Sequence, residues 1–572
     1  MKMGEPNCRE MARHSADIER PSPNFHANRR PMEGWLPVAV FLVAALVYAL
    51  TLSSHHAEAE DALRYVHEVS HGDLEQWLHP NHLIFNLVQR GFYEVWLGFG
   101  YTGTAERPMQ VLNLLGGALA LALLASILLR LRLGPGLALL AAGFTGGSFA
   151  FWHYAMAPDT YILPLALALF SLERALVLLQ RERGRDWLLL GLGLALMVLL
   201  HQQHALFAIV LTLSLGLALV TRDRPGPERW RSLGRFILAI GGAVVLIFAS
   251  YVLAGVGVFG QRTLPGLVQW ILGYAAGGAW SEWTATSPLK ALVGAGRAVI
   301  GGHALFANEA LAAGFSRLFP GKLLLEEGFL VASLGPVRVG IYLLLLAIAV
   351  PASLVLAVRL VWLRARPETG AGVPERTWVR GTAWAVLVIY ALFNTWWEPA
   401  NPEFWIFPLP FLVILVALRL QALGDPWSRH LAWVLTLAIV AANLIGSIQP
   451  MQDRERDYWY AVNRDLIAQL RPGDLVLTNG GYLSDSMVRF YGAAEVLAVR
   501  NLPANELAGM ALQRASSGTI YASGWVAEPP QALVATGQVR PRPEVMRALE
   551  PQGHWVPVLG PDAVQGLWRL QR

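Results

Sequence analysis

The sequence predicts an α-helical polytopic membrane protein of about eleven spans with a small extracytoplasmic α/β domain at its C-terminal end. Composition is the first observation: over 572 residues, 55% are hydrophobic and 15% charged, with a mean hydropathy of +0.42, more apolar surface than a soluble fold can cover. Second, apolar stretches long enough to cross a bilayer recur as far as about residue 447. Third, the chain turns polar from about residue 449 and acquires short strand-like runs. The formal charge of +5 and pI near 9.3 come from basic membrane-flanking loops, and no nucleic-acid motif accompanies them. Cys8 is the only cysteine, so no intrachain disulfide forms.

Residues 1–34 carry Arg9, Arg13, Arg20, Arg29 and Arg30 among prolines with no apolar period, which reads as a disordered cytoplasmic tail and not a cleavable signal. The stretch 35–52 is followed by acidic sequence instead of a small-residue cleavage site, so it reads as a retained helix. Further spans fall at about 111–129, 137–154, 162–179, 187–203, 205–220, 236–253, 339–358, 382–395, 404–418 and 431–447. Two more apolar stretches, 264–280 and 289–306, would raise the tally to thirteen. Their glycines, with Gln269, Lys290, Arg297 and His303, favour helices lying along the interface. The expected transmembrane domain is 35–448, with outer loops 53–107 and 254–337.

Arginines collect on alternate loops: the tail, Arg130 and Arg132, Arg181 to Arg185, the runs 222–235 and 359–380, and Arg419 with Arg429. Those loops are expected in the cytoplasm. The loop after the first span and the C-terminal domain then face the periplasm or exterior of an inner or plasma membrane.

The domain 449–572 has strand-like runs at 475–478, 519–522, 555–559 and 566–570, a helix at 454–470, and the turn Arg471-Pro472-Gly473-Asp474. Asn479-Gly480-Gly481 after its first strand reads as a turn before it reads as a phosphate loop. No catalytic constellation stands out there.

Chemistry concentrates in the first outer loop, in the acidic run Ala57-Glu58-Ala59-Glu60-Asp61 and the turn His79-Pro80-Asn81-His82. Read as a short helix, 58–70 puts Glu58, Asp61, Tyr65 and Glu68 on one face and Glu60, Arg64, His67 and His71 on the next. Glu60 and Arg64 then form an i,i+4 pair and leave Asp61 and Glu58 for chemistry. A solvated loop helix is the competing reading.

Several segments add to this pattern: Glu60-Asp61 with Tyr65 and Gly72-Asp73, the His79 to His82 turn, Ala157-Pro158-Asp159-Thr160-Tyr161 in the next outer loop, Leu200-His201-Gln202-Gln203-His204 at a helix end, and Asn401-Pro402-Glu403-Phe404-Trp405. In order and placement, over about 35–447, the chain resembles the GT-C class of integral-membrane glycosyltransferases, which includes bacterial aminoarabinose and protein O-mannosyl transferases. The resemblance implies an inverting transfer of a sugar from a polyprenyl-phosphate carrier to an extracytoplasmic lipid, glycan or protein acceptor. It implies Asp61 as general base, with Glu60 or Glu58 as alternatives, and Asp159 as a second catalytic carboxylate. Implied substrate-binding residues are Glu58, Tyr65, His79, His82, His201, His204, Arg262, Arg297 and Glu403, with Lys290, Arg317 and Lys322 as further cations for the leaving phosphate. Each arginine also fits a snorkelling role, and His201 and His204 are expected on one helix face.

Asp61, His79, His82 and Asp159 carry donors that a divalent cation takes, but no spacing matches a metal signature, so no metal ligands are assigned and a divalent-cation cofactor stays open. Thr395-Trp396-Trp397-Glu398-Pro399 reads as an interfacial belt before it reads as a sugar platform. A transporter or flippase, or a polysaccharide polymerase or ligase, is the alternative function. The absence of a repeat between halves, the sparse charge within spans and the large outer loop favour an enzyme.

Overall fold

The computed structural model describes residues 31–222, 225–276, 283–319, 324–365, 373–499, 502–515, 518–535, 537, 539–560 and 563–571. Most of the expected tail, with Cys8, and also Lys322 and the end of the stretch 264–280 lie outside the described residues. The chain opens with helix α1 (Pro31–Leu50), so residues 31–34 belong to this helix and not to the tail. The first outer loop holds α2 (Ala62–His71), α3 (Leu74–Trp77) and α4 (Phe85–Gly98). Then follow α5 (Glu106–Arg130), α6 (Pro135–Gly147), α7 (Phe149–Met156), α8 (Ile162–Gln180), α9 (Gly184–Leu200), α10 (Ala205–Thr221) and α11 (Gly226–Gly257). The long outer loop folds as α12 (Leu264–Ala276), α13 (Ser287–Val299), α14 (Glu309–Leu318) and α15 (Leu325–Leu334). Helices α16 (Pro336–Trp362), α17 (Val373–Trp396), α18 (Leu409–Leu423) and α19 (Pro426–Asn443) complete the bundle.

Each expected span falls largely on helix, but 137–154 is divided into α6 and α7 at Ser148, whose extended ψ of 140° breaks the helix, 187–203 is interrupted at the extended His201, and 404–418 becomes α-helical only from Leu409. Among the described residues, seven helices are long and apolar enough to cross a membrane by length and composition. Small residues let the helices approach closely. A Cβ added at Gly191 in α9 would lie 2.7 Å from the backbone oxygen of Ala239 in α11, and one at Gly147 would meet Val440 of α19. Helix α18 ends at Gly424, whose φ of +60 favours glycine, and Asp425 then caps α19 by accepting the Ser428 N–H.

Buried polar side chains fasten the outer loops to the bundle. Asn113 of α5, fully buried, donates to the carbonyls of Ala157 and Asp159 at 2.6 and 2.7 Å and accepts from Gln89 at 3.0 Å, which sets the loop carrying Asp159. Gln110, one turn earlier, donates to the Ser53 carbonyl at 2.8 Å and fixes the chain leaving α1. The His79 to His82 turn is held by Tyr251, which donates to the Pro80 carbonyl at 2.7 Å, and by the Gln202 N–H on the Asn81 carbonyl at 2.6 Å. Each such bond is worth about 1 kcal/mol, but an unmade partner in this setting costs more.

After α19 the chain enters α20 (Tyr458–Ile467), β1 (Leu475–Thr478), α21 (Tyr482–Gly492), β2 (Glu495–Ala498), α22 (Ala504–Arg514), β3 (Ile520–Ser523), β4 (His554–Leu559) and β5 (Leu567–Gln571). The sheet order is β2-β1-β3-β5-β4. β2, β1 and β3 are parallel, while β5 runs antiparallel to β3 and β4. Four strands coincide with the expected runs. β2 was not expected, because Glu495-Val496-Leu497-Ala498 is only four residues long and opens on a charged residue.

Candidate active site

Helix α2 starts later than the spacing suggests, at Ala62, which leaves Glu58 and Glu60 outside it. Inside the helix Arg64 Nε donates to Glu68 Oε1 at 2.8 Å, where the spacing points to Glu60 as its partner. Glu68 also accepts from Asn86 at 2.8 Å. Asp61 takes the N-cap position, where an aspartate ordinarily spends its carboxylate on helix N–H groups, yet it makes no such cap bond. Its oxygens instead accept from two phenols, Tyr482 on Oδ1 at 2.5 Å and Tyr65 on Oδ2 at 3.3 Å.

Asp61 borders a cavity of about 650 Å³ between the first outer loop, the α7–α8 loop, the α9–α10 junction, the α17–α18 loop and α21. Of the expected residues, Glu60, Asp61, Tyr65, His79, His82, Asp159, His201 and Glu403 line it. Asp159 is 2% exposed and accepts the Thr160 N–H at 2.6 Å. Burial, and then the negative charge of Asp61, push its carboxyl up to about 7, against the bonds from Thr160. One carboxylate at the mouth and one inside, in unlike environments, is the arrangement that divides proton-handling roles.

The opposite wall is aromatic and acidic. Trp397 stacks on Phe393 at 6.0 Å and Trp396 tilts against Trp397 at 5.7 Å. Glu398 accepts from Asn401 at 3.0 Å, and its carboxyl is raised by burial against that bond. Glu403 accepts from Tyr161 at 2.8 Å, with Tyr154 at 3.0 Å on its other oxygen.

The histidines are neutral polar groups here. His79 Nδ1 accepts the Asn81 N–H at 3.3 Å, and burial followed by the Arg64 charge lowers its pKa to about 4. His82 stacks on His79 at 4.6 Å, and burial pushes it well below the usual range. His201 and His204 do not share a helix face as expected. His201 ends α9 in extended conformation and His204 closes a 3-10 turn, so their rings meet at 5.2 Å across the break between α9 and α10. His204 sits behind the cavity wall with Nδ1 3.0 Å from the Tyr390 hydroxyl.

Five other expected residues are elsewhere. Arg297 grips Glu58, and both are absent from the cavity lining. Arg262 is exposed on the long outer loop, as is Arg317, and Lys290 is half-buried without reaching the cavity. Arg64, expected only as a structural partner, is the cation among the described lining residues. Tyr482 and Phe393 were missed altogether. The one signal for Tyr482 was the Asn479-Gly480-Gly481 turn that precedes it. Although Asp61, His79, His82 and Asp159 all border the cavity, no group of three or more His, Cys, Asp or Glu among the described residues is arranged to hold a metal ion.

A helical membrane bundle whose outer loops gather carboxylates over a cavity, closed by a small α/β unit, is a GT-C-like fold. The crystal structure of ArnT from Cupriavidus metallidurans bound to undecaprenyl phosphate is similar to this chain with TM-score 0.51 and 14% identity, covering 94% of this chain and 98% of that one. The same protein in the apo state gives 0.45 at 16% identity with the same coverage. The mycobacterial arabinofuranosyltransferase AftD gives 0.46 at 15% identity over 94% of this chain and 40% of that chain. No protein-family model matches the sequence, and no curated protein sequence does.

Proposed function

We propose that the protein is a membrane glycosyltransferase that moves a sugar from a polyprenyl-phosphate carrier to an extracytoplasmic acceptor in one inverting displacement. The observation that carries this reading is Asp61, an N-cap aspartate that forgoes its capping bond and presents its carboxylate at the mouth of a cavity shared with Asp159 and an aromatic wall. Asp61 takes the acceptor proton as the acceptor oxygen bonds the anomeric carbon. The bond to the carrier phosphate breaks on the opposite side, so the configuration inverts. A positioned base contributes about 10² to 10⁴-fold to such a step.

Asp159 orients the sugar or the acceptor through a carboxyl that ionises near neutrality. Trp396, Trp397 and Phe393 stack against sugar faces, while Glu398 and Glu403 accept sugar hydroxyls. Arg64 meets the negative charge that develops on the leaving phosphate. This chemistry runs outside the cytoplasm, with the N-terminal end of α1 inside, the helical bundle in the membrane and 449–572 outside. The neighbour ArnT binds undecaprenyl phosphate, which supports the donor class.

The test is turnover of undecaprenyl-phosphate sugars by the purified full-length protein, wild type against Asp61→Asn. Turnover lost in the variant supports the reading. Binding of no such sugar, together with substrate uptake into vesicles, would favour a transporter.

A further inference from the structure

We propose that Tyr482 determines specificity at this site, its phenol covering the Asp61 carboxylate against water and yielding that place to the acceptor. The proposal rests on the reading of Asp61 as general base.

Tyr482 reaches Asp61 from 421 residues away and donates its hydroxyl to Oδ1 at 2.5 Å. Tyr65 covers Oδ2 at 3.3 Å, so both carboxylate oxygens already accept a hydroxyl. The two phenols differ in mounting. Tyr65 is 4% exposed and packs edge-on against His82 at 5.0 Å and Phe85 at 5.6 Å, which fixes it. Tyr482 is 38% exposed and belongs to none of the apolar clusters of the described residues, so moving its ring would unpack no core.

Its mounting explains the aim. Tyr482 is the first residue of α21 and follows Gly481, whose φ of +92 lies in the region that favours glycine. The turn beneath is tied down by Asn479, which donates to the carbonyls of Trp525 at 3.0 Å and Arg540 at 2.8 Å. The turn thus holds out a ring whose hydroxyl meets both Asp61 and Arg64.

Donor hydrolysis and sugar transfer are the same displacement with different nucleophiles. In hydrolysis a water oxygen bonds the anomeric carbon, the carbon–oxygen bond to the carrier phosphate breaks, the electron pair leaves with the polyprenyl phosphate, and the water proton passes to Asp61. In transfer the acceptor oxygen takes the place of water and its proton goes the same way. Both need access to the Asp61 carboxylate, whose Oδ1 the Tyr482 phenol covers. Water has little binding energy with which to displace a phenol, whereas an acceptor has the rest of its contacts.

The test uses the full-length protein as wild type, Tyr482→Phe, and Tyr521→Phe in β3 as a control in the same unit. Carbodiimide coupling of glycine ethyl ester to Asp61, followed by peptide mass spectrometry, needs no substrate. Loss of the shielding bond raises that labelling roughly fivefold to tenfold in Tyr482→Phe and leaves Tyr521→Phe at the wild-type rate. Acceptor-free hydrolysis of undecaprenyl-phosphate arabinose or mannose rises by a similar factor. Unchanged labelling overturns the proposal, as does hydrolysis that falls together with transfer. If the wild type turns over neither sugar while labelling still rises, the glycosyltransferase reading fails and the shielding stands.

Discussion

Arg297 Nη2 lies 2.7 Å from Oε1 and 3.0 Å from Oε2 of Glu58, joining the long outer loop to the acidic run across 239 residues. His303 Nε2 shares Oε1 at 2.7 Å. Glu58, expected as a substrate ligand, is thus engaged by a cation and a histidine in a largely buried setting. Removing one partner of such a pair leaves the other charge desolvated. Arg297→Met is expected to destabilise the protein by about 3 kcal/mol, read as a lower melting temperature in detergent. An unchanged melting temperature would contradict a structural role for the pair.

The carboxylates of the acidic run separate by activity. Asp61→Asn lowers sugar transfer by about 10² to 10⁴-fold without lowering the melting temperature, while Glu60→Gln, at an exposed position, keeps most of the activity. Parallel turnover assays decide between them. A dead Glu60→Gln beside an active Asp61→Asn would move the base to Glu60.

Asp159 makes stability depend on pH with a definite sign. Its folded pKa of about 7 lies above the ordinary aspartate value, so the folded state holds a proton that the unfolded chain has released. The contribution is fully present below about pH 4 and is lost as pH rises through about 7. Asp159→Asn, which cannot ionise, is therefore expected to raise the melting temperature over wild type at pH 8 by more than at pH 5. Equal shifts at both values would show that Asp159 does not titrate between them.

The aromatic wall acts in binding. Trp397→Ala removes the ring stacked on Phe393 and is expected to raise KM for the lipid-linked sugar roughly threefold to tenfold with kcat nearly kept. A fall in kcat at constant KM would place Trp397 in the chemical step instead.

The helices and most of the strands were legible because their signals are local. Apolar runs mark α1, α5, α8 to α11 and α16 to α19, and β-rich runs mark β1, β3, β4 and β5. Site residues next to helix ends, Asp61, Asp159, His201 and Glu403, were also legible, since polar groups where spans end stand out against lipid-like sequence. The misreadings arose where one or two residues change a partner. An α2 that starts at Ala62 instead of position 58 redirects Arg64 from Glu60 to Glu68 and sends Glu58 to Arg297. Helix starts depend on capping and on what the preceding residues contact elsewhere, and the intrinsic signal for them is weak.

By itself the sequence determined a membrane bundle, an acidic cluster at the end of its first helix and a small α/β unit behind it, because hydrophobic period and composition act over a few residues. Only the tertiary structure decided which carboxylates share a cavity, which cation faces them and which tyrosine covers Asp61. Those are meetings of side chains hundreds of residues apart, set by packing and by buried hydrogen bonds such as those of Asn113, and they leave no period in the chain to read.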